Sequence, residues 1–329
     1  MHNQILKIAV LWTSIDVFKS SLLFKIIEKL TKKKIVFCSP DRSDILILGP
    51  YQINTLTEKF YNKIKKVKFL SMDILADRAN KKIFTRSEMP LTIFFSTENY
   101  RYDNVIADFF LTGDFMQNEN HLRIPIWKNY IEWTEYDINT EYKNNFNDGH
   151  QSRVGEIYKL DKLLEPFGSA FLNKKQDISF ISTNLKSPKF FFYNLFKNCF
   201  NINGFGPAFE NSIKDHNSSN FLKKNIFQNH AFDLCPQNSM YPGYYDERII
   251  DPFYNSTLPI TWADENIKLD FNPLAFINLQ KYTNSNFLEI LDLLKDMTFL
   301  KSFTNQPLFL ERPSLEEEFN SVSKILNKL

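Results

Sequence analysis

The sequence lacks the marks of several large functional classes. No apolar run reaches the roughly 18–20 residues that a bilayer-spanning helix needs. The amino terminus shows no basic stretch followed by an apolar core and a small-residue cleavage site. Cysteine is confined to Cys38, Cys199 and Cys235, an odd number at wide spacing. With no CxxC and no Cys/His ligand spacing, neither a disulfide framework nor a structural zinc is expected, and a reducing compartment fits best. The 5 histidines are scattered and form no HExxH pair. Glycine is scarce, at 8 residues, and neither GxGxxG nor GxxxxGK[ST] occurs, which removes the strongest signatures of dinucleotide and P-loop nucleotide binding. Charge of one sign is also missing: 40 basic residues against 38 acidic ones leave a formal +2, too little for a general nucleic-acid surface. The lysine runs Lys32-Lys33-Lys34 and Lys63-Ile64-Lys65-Lys66 read as solvated helix ends.

What is present is a globular composition, 43% apolar and 24% charged, over 329 residues, a length that predicts two domains. Short β-type runs alternate with helical patterns. Lys7–Trp12, Ile35–Cys38, Asp44–Leu48, Leu91–Ser96 and Ala107–Thr112 read as strands. Apolar residues at helical spacing run through Phe18, Leu22, Leu23, Ile26, Ile27 and Leu30, and a second helix is expected over Thr55–Lys65. Between about Asp137 and Arg153 the period collapses into a polar linker. A second series follows, with strands at Asp177–Ser182, Phe200–Asn203, Ala231–Cys235 and Leu258–Trp262, and helices at Pro188–Asn198, Phe221–Gln228 and Asp246–Tyr254. Two such series predict an α/β chain of two Rossmann-like lobes with a central cleft. The turn Asn203-Gly204-Phe205-Gly206-Pro207 reads either as a plain strand-to-loop turn or as a loop approaching phosphate.

The densest chemistry lies in Leu234–Trp262. Asp246 can cap a helix whose first turn carries Glu247 and Arg248. Glu suits the helix dipole there, whereas Arg is disfavoured unless it faces an anion. A diphosphate would explain the cation, with Arg248 binding phosphate oxygens as a fork and Glu247 accepting from ribose hydroxyls. A capped surface helix with a weak Arg–Glu pair is the plainer alternative.

Pro236-Gln237-Asn238-Ser239, Tyr244-Tyr245-Asp246-Glu247-Arg248-Ile249, Thr257-Leu258-Pro259-Ile260-Thr261-Trp262 and Asp270-Phe271-Asn272-Pro273 together resemble the donor-binding signature of the α-1,3-fucosyltransferase family. Phe95-Ser96-Thr97-Glu98-Asn99 is similar to the F-x-G-E-N segment of bacterial members, and Ser187-Pro188-Lys189-Phe190 to the segment whose Arg reaches the diphosphate. Leu122-Arg123-Ile124-Pro125 resembles the family's R-[LM]-P, with Arg123 read as structural. The resemblance implies a GT-B-like fold and inverting transfer of L-fucose from GDP-β-L-fucose to a hydroxyl of an acceptor glycan, α-1,3 to GlcNAc or Glc. It makes residues 1–150 the acceptor lobe, 151–310 the donor lobe, and 311–329 a helix packing back across the lobes. Glu98 would be the general base, with Asp103 and Asp108 in reserve; Lys189, Asn238, Tyr244, Glu247 and Arg248 would bind the donor. No metal and no cofactor beyond the GDP-fucose substrate is expected. The partners are the GDP-sugar and an acceptor oligosaccharide or glycoconjugate, in a cytoplasmic protein that is compatible with weak peripheral membrane association. Gln237 for Glu and Asp246 for Thr depart from the family pattern. They keep open a different GDP-deoxysugar, or a non-catalytic sugar- or nucleotide-binding relative.

Overall fold

The computed structural model describes residues 5–51, 89–98, 105–115, 118–138, 157–209, 219–282 and 287–329. The helix expected over Thr55–Lys65 and most of the polar linker lie outside these residues. The chain forms two units, Met1–Ile124 with Leu315–Leu329, and Pro125–Ser314.

In the first unit, β1 (Ile5–Leu11) leads into α1 (Ile15–Ser20) and α2 (Leu22–Leu30), then β2 (Lys34–Phe37), β3 (Ile45–Leu48), β4 (Leu91–Ser96), β5 (Phe109–Thr112) and β6 (His121–Arg123). All six strands are parallel, in the order β2-β1-β3-β4-β5-β6. A central parallel strand is covered on both faces, which is why the run Ile45–Leu48 is apolar at every position and buried throughout. Ser21 divides the two helices. Its N–H closes α1 on the Phe18 carbonyl, and its Oγ caps α2 by accepting from Phe24 N–H at 3.2 Å. Leu22, Leu23, Phe24, Ile26 and Ile27 then bury one face of α2. Each such side chain contributes roughly 1.5–3 kcal/mol, so this face, not helix propensity, fixes α2 in place. At the amino ends of the strands, Asp44 Oδ2 accepts from Lys7 N–H and Asp108 Oδ2 from Thr92 N–H, both at 2.7 Å.

The second unit carries a short pair, β7 (Ile131–Glu132) with β8 (Tyr158–Lys159), then α3 (Leu160–Leu164), β9 (Lys175–Ile181), α4 (Lys189–Lys197), β10 (Ile202–Phe205), α5 (Ser219–Asn229), β11 (His230–Leu234), α6 (Ile250–Tyr254), β12 (Leu258–Thr261) and β13 (Ile277–Asn278). Its five-stranded sheet has the order β10-β9-β11-β12-β13 and is parallel throughout. Two further helices, α7 (Phe287–Leu293) and α8 (Met297–Lys301), follow, and α9 (Glu316–Leu326) ends the chain.

The expected α/β architecture of two βα series is thus found, while the division between the units differs from the expected 150/151. It falls at Ile124/Pro125 because the aromatic segment after Pro125 packs into the second unit: Trp127 lies 5.4 Å from the Phe271 ring and 5.0 Å from that of Phe309. The carboxyl-terminal segment also divides within the expected 311–329. Arg312 pairs with Asp161 and Glu135 in the second unit, whereas α9 packs on α2 and β6 of the first. The glycines of the Asn203–Pro207 turn answer to packing. A Cβ on Gly204 would meet the Phe209 ring at 2.4 Å, and Gly206, at φ +92°, lies against the Ser182 carbonyl. That supports the plain-turn reading. Among the described residues no helix is long and apolar enough to cross a membrane.

Candidate active site

Ligands of open α/β sheets gather at the carboxyl ends of the strands. In the second unit that end holds a recess of about 70 Å³, lined by Phe180 and Ile181 of β9, Lys189 opening α4, Lys223 of α5, Asp233 and Leu234 of β11, and Glu247, Arg248 and Asp251 around the start of α6. Three of the five donor residues expected from sequence, Lys189, Glu247 and Arg248, share this recess. Its volume holds a water or two, too little for a whole nucleotide.

The local geometry corrects one expectation. The helix does not begin at Asp246. It spans only Ile250–Tyr254, without a side-chain cap, and Glu247–Ile249 form the turn before it. Asp246 Oδ1 instead accepts the Arg248 N–H at 3.2 Å and its Oδ2 lies 3.5 Å from Arg248 Nε. A single helical turn has too small a dipole to attract an anion. The positive potential therefore comes from side chains. Arg248 Nη1 also donates to Asn238 Oδ1 at 3.3 Å and to the Pro236 carbonyl at 3.4 Å. Asn238 Nδ2 in turn donates to Tyr244 Oη at 3.2 Å. Asn238, Tyr244 and Arg248 are thereby one hydrogen-bonded string, with Tyr244 buried and Asn238 exposed.

Burial and neighbouring charge shape the titration of the recess. Burial, aided by Arg248, pulls Lys189 down to about 8, against the pull of Asp246. Burial, with Asp246 and Asp251 nearby, pushes Glu247 up to about 7, although Lys223 and Arg248 oppose it. Burial likewise lifts Asp233 to about 7, despite the Ser179 hydroxyl that donates to its Oδ1 at 2.6 Å. For Lys223 and Arg248 burial works against the charge, but Asp251 with Glu247, and Asp246 with Glu247, outweigh it, so both stay protonated. Displaced carboxyls and lysines that line a recess make it a candidate functional site.

Three charged residues of the recess, Lys223, Asp233 and Asp251, escape the sequence reading. Asp233 sits inside an apolar strand and Lys223 on a helix far along the chain from Arg248. Lys223 Nζ pairs with Asp251 Oδ2 at 3.0 Å, and Asp251 Oδ1 takes the Tyr158 hydroxyl at 2.5 Å. Gln237 differs from expectation in the opposite sense. Its side chain is 0% exposed and both its amide atoms lack a hydrogen-bond partner among the described residues. It is therefore a buried residue and not part of the open wall of the recess.

In the first unit, Glu98 lies two residues beyond β4, at the carboxyl end of the sheet, with its side chain exposed. Ser96 Oγ accepts the Glu98 N–H and donates to the Glu98 carbonyl, both at 3.1 Å, which fixes the turn that presents the carboxylate. Of the reserve bases, Asp103 lies outside the described residues. Asp108 is ruled out: it stands at the start of β5, at the opposite end of the sheet, holding the Thr92 amide. Arg123 donates through Nε to the Gly113 carbonyl at 2.9 Å and covers the Phe115 ring at 3.9 Å, a structural use of its charge. Among the described residues no group of three or more His, Cys, Asp or Glu side chains is arranged to hold a metal ion.

Comparison with known proteins bears out the family resemblance. Residues 172–305 match the model described as glycosyltransferase family 10 (fucosyltransferase), C-terminal part. An α-(1,3)-fucosyltransferase of Helicobacter pylori is 26% identical over 213 residues, 62% of this chain and 43% of that protein. A putative fucosyltransferase of Acanthamoeba polyphaga mimivirus is 24% identical over 140 residues, 39% of this chain and 23% of the other. The matches therefore span less than half the length of these relatives. Among solved structures, an α1,3-fucosyltransferase superposes with a TM-score of 0.65 at 19% identity, covering 99% of this chain and 90% of the other. A structure of an α1,3-fucosyltransferase with GDP-fucose does so with a TM-score of 0.62 at 18% identity, over 100% and 91%. These likenesses establish a GT-B-type fold.

Proposed function

We infer that this chain belongs to the glycosyltransferase family 10 fucosyltransferases and moves fucose from GDP-fucose to a hydroxyl of an acceptor glycan. The observation that carries the reading is the convergence of Lys189, Glu247 and Arg248 on one recess at the carboxyl end of the second sheet. Two cations beside a carboxylate suit a diphosphate next to a ribose diol, as the family resemblance implies for these positions. Arg248 and Lys189 bind the diphosphate oxygens, and Glu247 accepts from the ribose hydroxyls. The string Asn238–Tyr244 holds the Arg248 guanidinium in place.

In this reading Glu98 takes the proton of the acceptor hydroxyl. The acceptor oxygen forms a bond to C1 of fucose on the face opposite the diphosphate, and the C1–O bond to the diphosphate breaks. The configuration at C1 inverts from β to α. The electron pair leaves on GDP, where Lys189 and Arg248 stabilise the added charge, a contribution that metal ions supply in other transferases. The linkage is α-1,3, to GlcNAc or Glc. The test is incubation with GDP-fucose and a panel of glucosyl- and N-acetylglucosaminyl-terminated acceptors, followed by mass spectrometry and by NMR of the new anomeric centre. An α-fucosyl product is expected. Retention of the β configuration would refute the inverting step, and transfer from another GDP-deoxysugar in place of fucose would refute the donor.

A further inference from the structure

Lys223 has no counterpart in the motifs that point to the donor site, yet it lines the same recess as Lys189 and Arg248. Its Nζ has three N–H donors, and the ion pair with Asp251 Oδ2 at 3.0 Å uses one of them. The pair is anchored from behind. The second oxygen of Asp251 is taken by the Tyr158 hydroxyl, which fixes the carboxylate that holds Lys223. Asp251 is almost wholly covered, whereas the Lys223 side chain keeps 26% of its surface open. A bridge that served only packing would have no need to leave its cation on the wall of the recess.

Charge points the same way. Lys189, Lys223 and Arg248 bring three positive groups to one small space, against Asp233, Glu247 and Asp251 on its wall and Asp246 paired with Arg248 beside it. Like charges in a partly buried recess raise each other's energy unless an anion is shared among them. Because Asp233 and Glu247 are both displaced to about 7, each is only partly charged near neutral pH, which leaves the three cations less fully opposed. A polyanion reaching all three cations would oppose that remaining charge.

We propose that Lys223, held by Asp251 and Tyr158, is a third cation of the donor site and binds an oxygen of the nucleoside diphosphate. This rests on the reading of the recess as a GDP site and adds a residue to it. The test is calorimetric titration of the wild type, Lys223→Met, Lys223→Arg and the double variant Lys223→Met/Asp251→Asn with GDP and with guanosine. The double variant leaves no buried charge unpaired and keeps an acceptor for Tyr158, so it serves if the single Met variant does not fold. Loss of a charge-assisted hydrogen bond predicts a GDP dissociation constant raised by about tenfold or more, with guanosine little changed and Lys223→Arg close to wild type. Unchanged GDP affinity in the Met variants, or equal losses for GDP and guanosine, would overturn the proposal while leaving the GDP site itself standing. Failure of the wild type to bind GDP would instead remove the reading on which it rests.

Discussion

Replacing Asp233 by Asn should make the protein more stable above neutral pH and abolish part of its pH dependence. Asp233 is 4% exposed, on a strand of the second sheet, and its carboxyl is raised from 3.8 to about 7, chiefly by burial. The folded state holds a proton there that the unfolded chain releases above pH 4. Stability from this group is therefore present at low pH and is lost as pH rises through the folded value, levelling off above about 7. From pH 5 to 7 the shift spans about two units. At about 1.4 kcal/mol per unit this is at most about 3 kcal/mol, and relaxation around Lys223 reduces it. Asn cannot titrate, yet its Oδ1 still accepts the Ser179 hydroxyl. Glu247 titrates over the same window in both proteins, so it largely cancels from the difference. The assay is thermal unfolding of wild type and Asp233→Asn at half-unit steps from pH 5 to 8.5. The melting temperature of Asp233→Asn relative to wild type should rise up to about pH 7, by several degrees in all, and then stay level. Parallel curves across the range would refute the assignment of a proton to Asp233.

Three further outcomes are expected. Arg248→Ala should weaken GDP by about tenfold or more while changing guanosine little, measured by calorimetry; equal losses would argue against a diphosphate contact at Arg248. Glu98→Gln should abolish fucosyl transfer yet leave the GDP dissociation constant near wild type, because Glu98 belongs to the first unit and the recess to the second; retained turnover would remove Glu98 from the base role. Gln237→Leu replaces a buried amide that has no hydrogen-bond partner among the described residues by an apolar side chain of similar size and should raise stability by about 1 kcal/mol or more, read from denaturant unfolding.

The elements most legible in the sequence are those whose burial is continuous. Asp44–Leu48, Leu91–Ser96 and Asp177–Ser182 read as strands because a central parallel strand is apolar on both faces, and each overlaps an observed strand. The strands at His121–Arg123 and Ile277–Asn278 went unread, being two or three residues long and placed at sheet edges. The start of the helix after Arg248 was misplaced because Asp246 supplies a capping signature, but its carboxylate serves the Arg248 amide and guanidinium instead. In the site, Arg248 stood out because a cation is disfavoured at a helix start, Glu247 because a carboxylate beside it suits a ribose diol, and Lys189 through the family resemblance. Lys223 and Asp233 did not. Lys223 matches an ordinary solvated helix lysine until folding brings Asp251 to it, and Asp233 interrupts an apolar strand by a single residue. The unit boundary was hidden for a similar reason: Trp127 is an unremarkable aromatic residue until Phe271 and Phe309 meet it.

The central claim is that the recess of the second unit belongs to a GDP-sugar donor site. The most direct test is a thermal-shift and calorimetric comparison of GDP, UDP, ADP and CDP on the wild-type chain. GDP should bind most tightly, and at 100 times its dissociation constant it should add about 2.7 kcal/mol of stability, visible as a clear rise in melting temperature. Equal shifts for the four nucleotides, or none with GDP, would contradict the account.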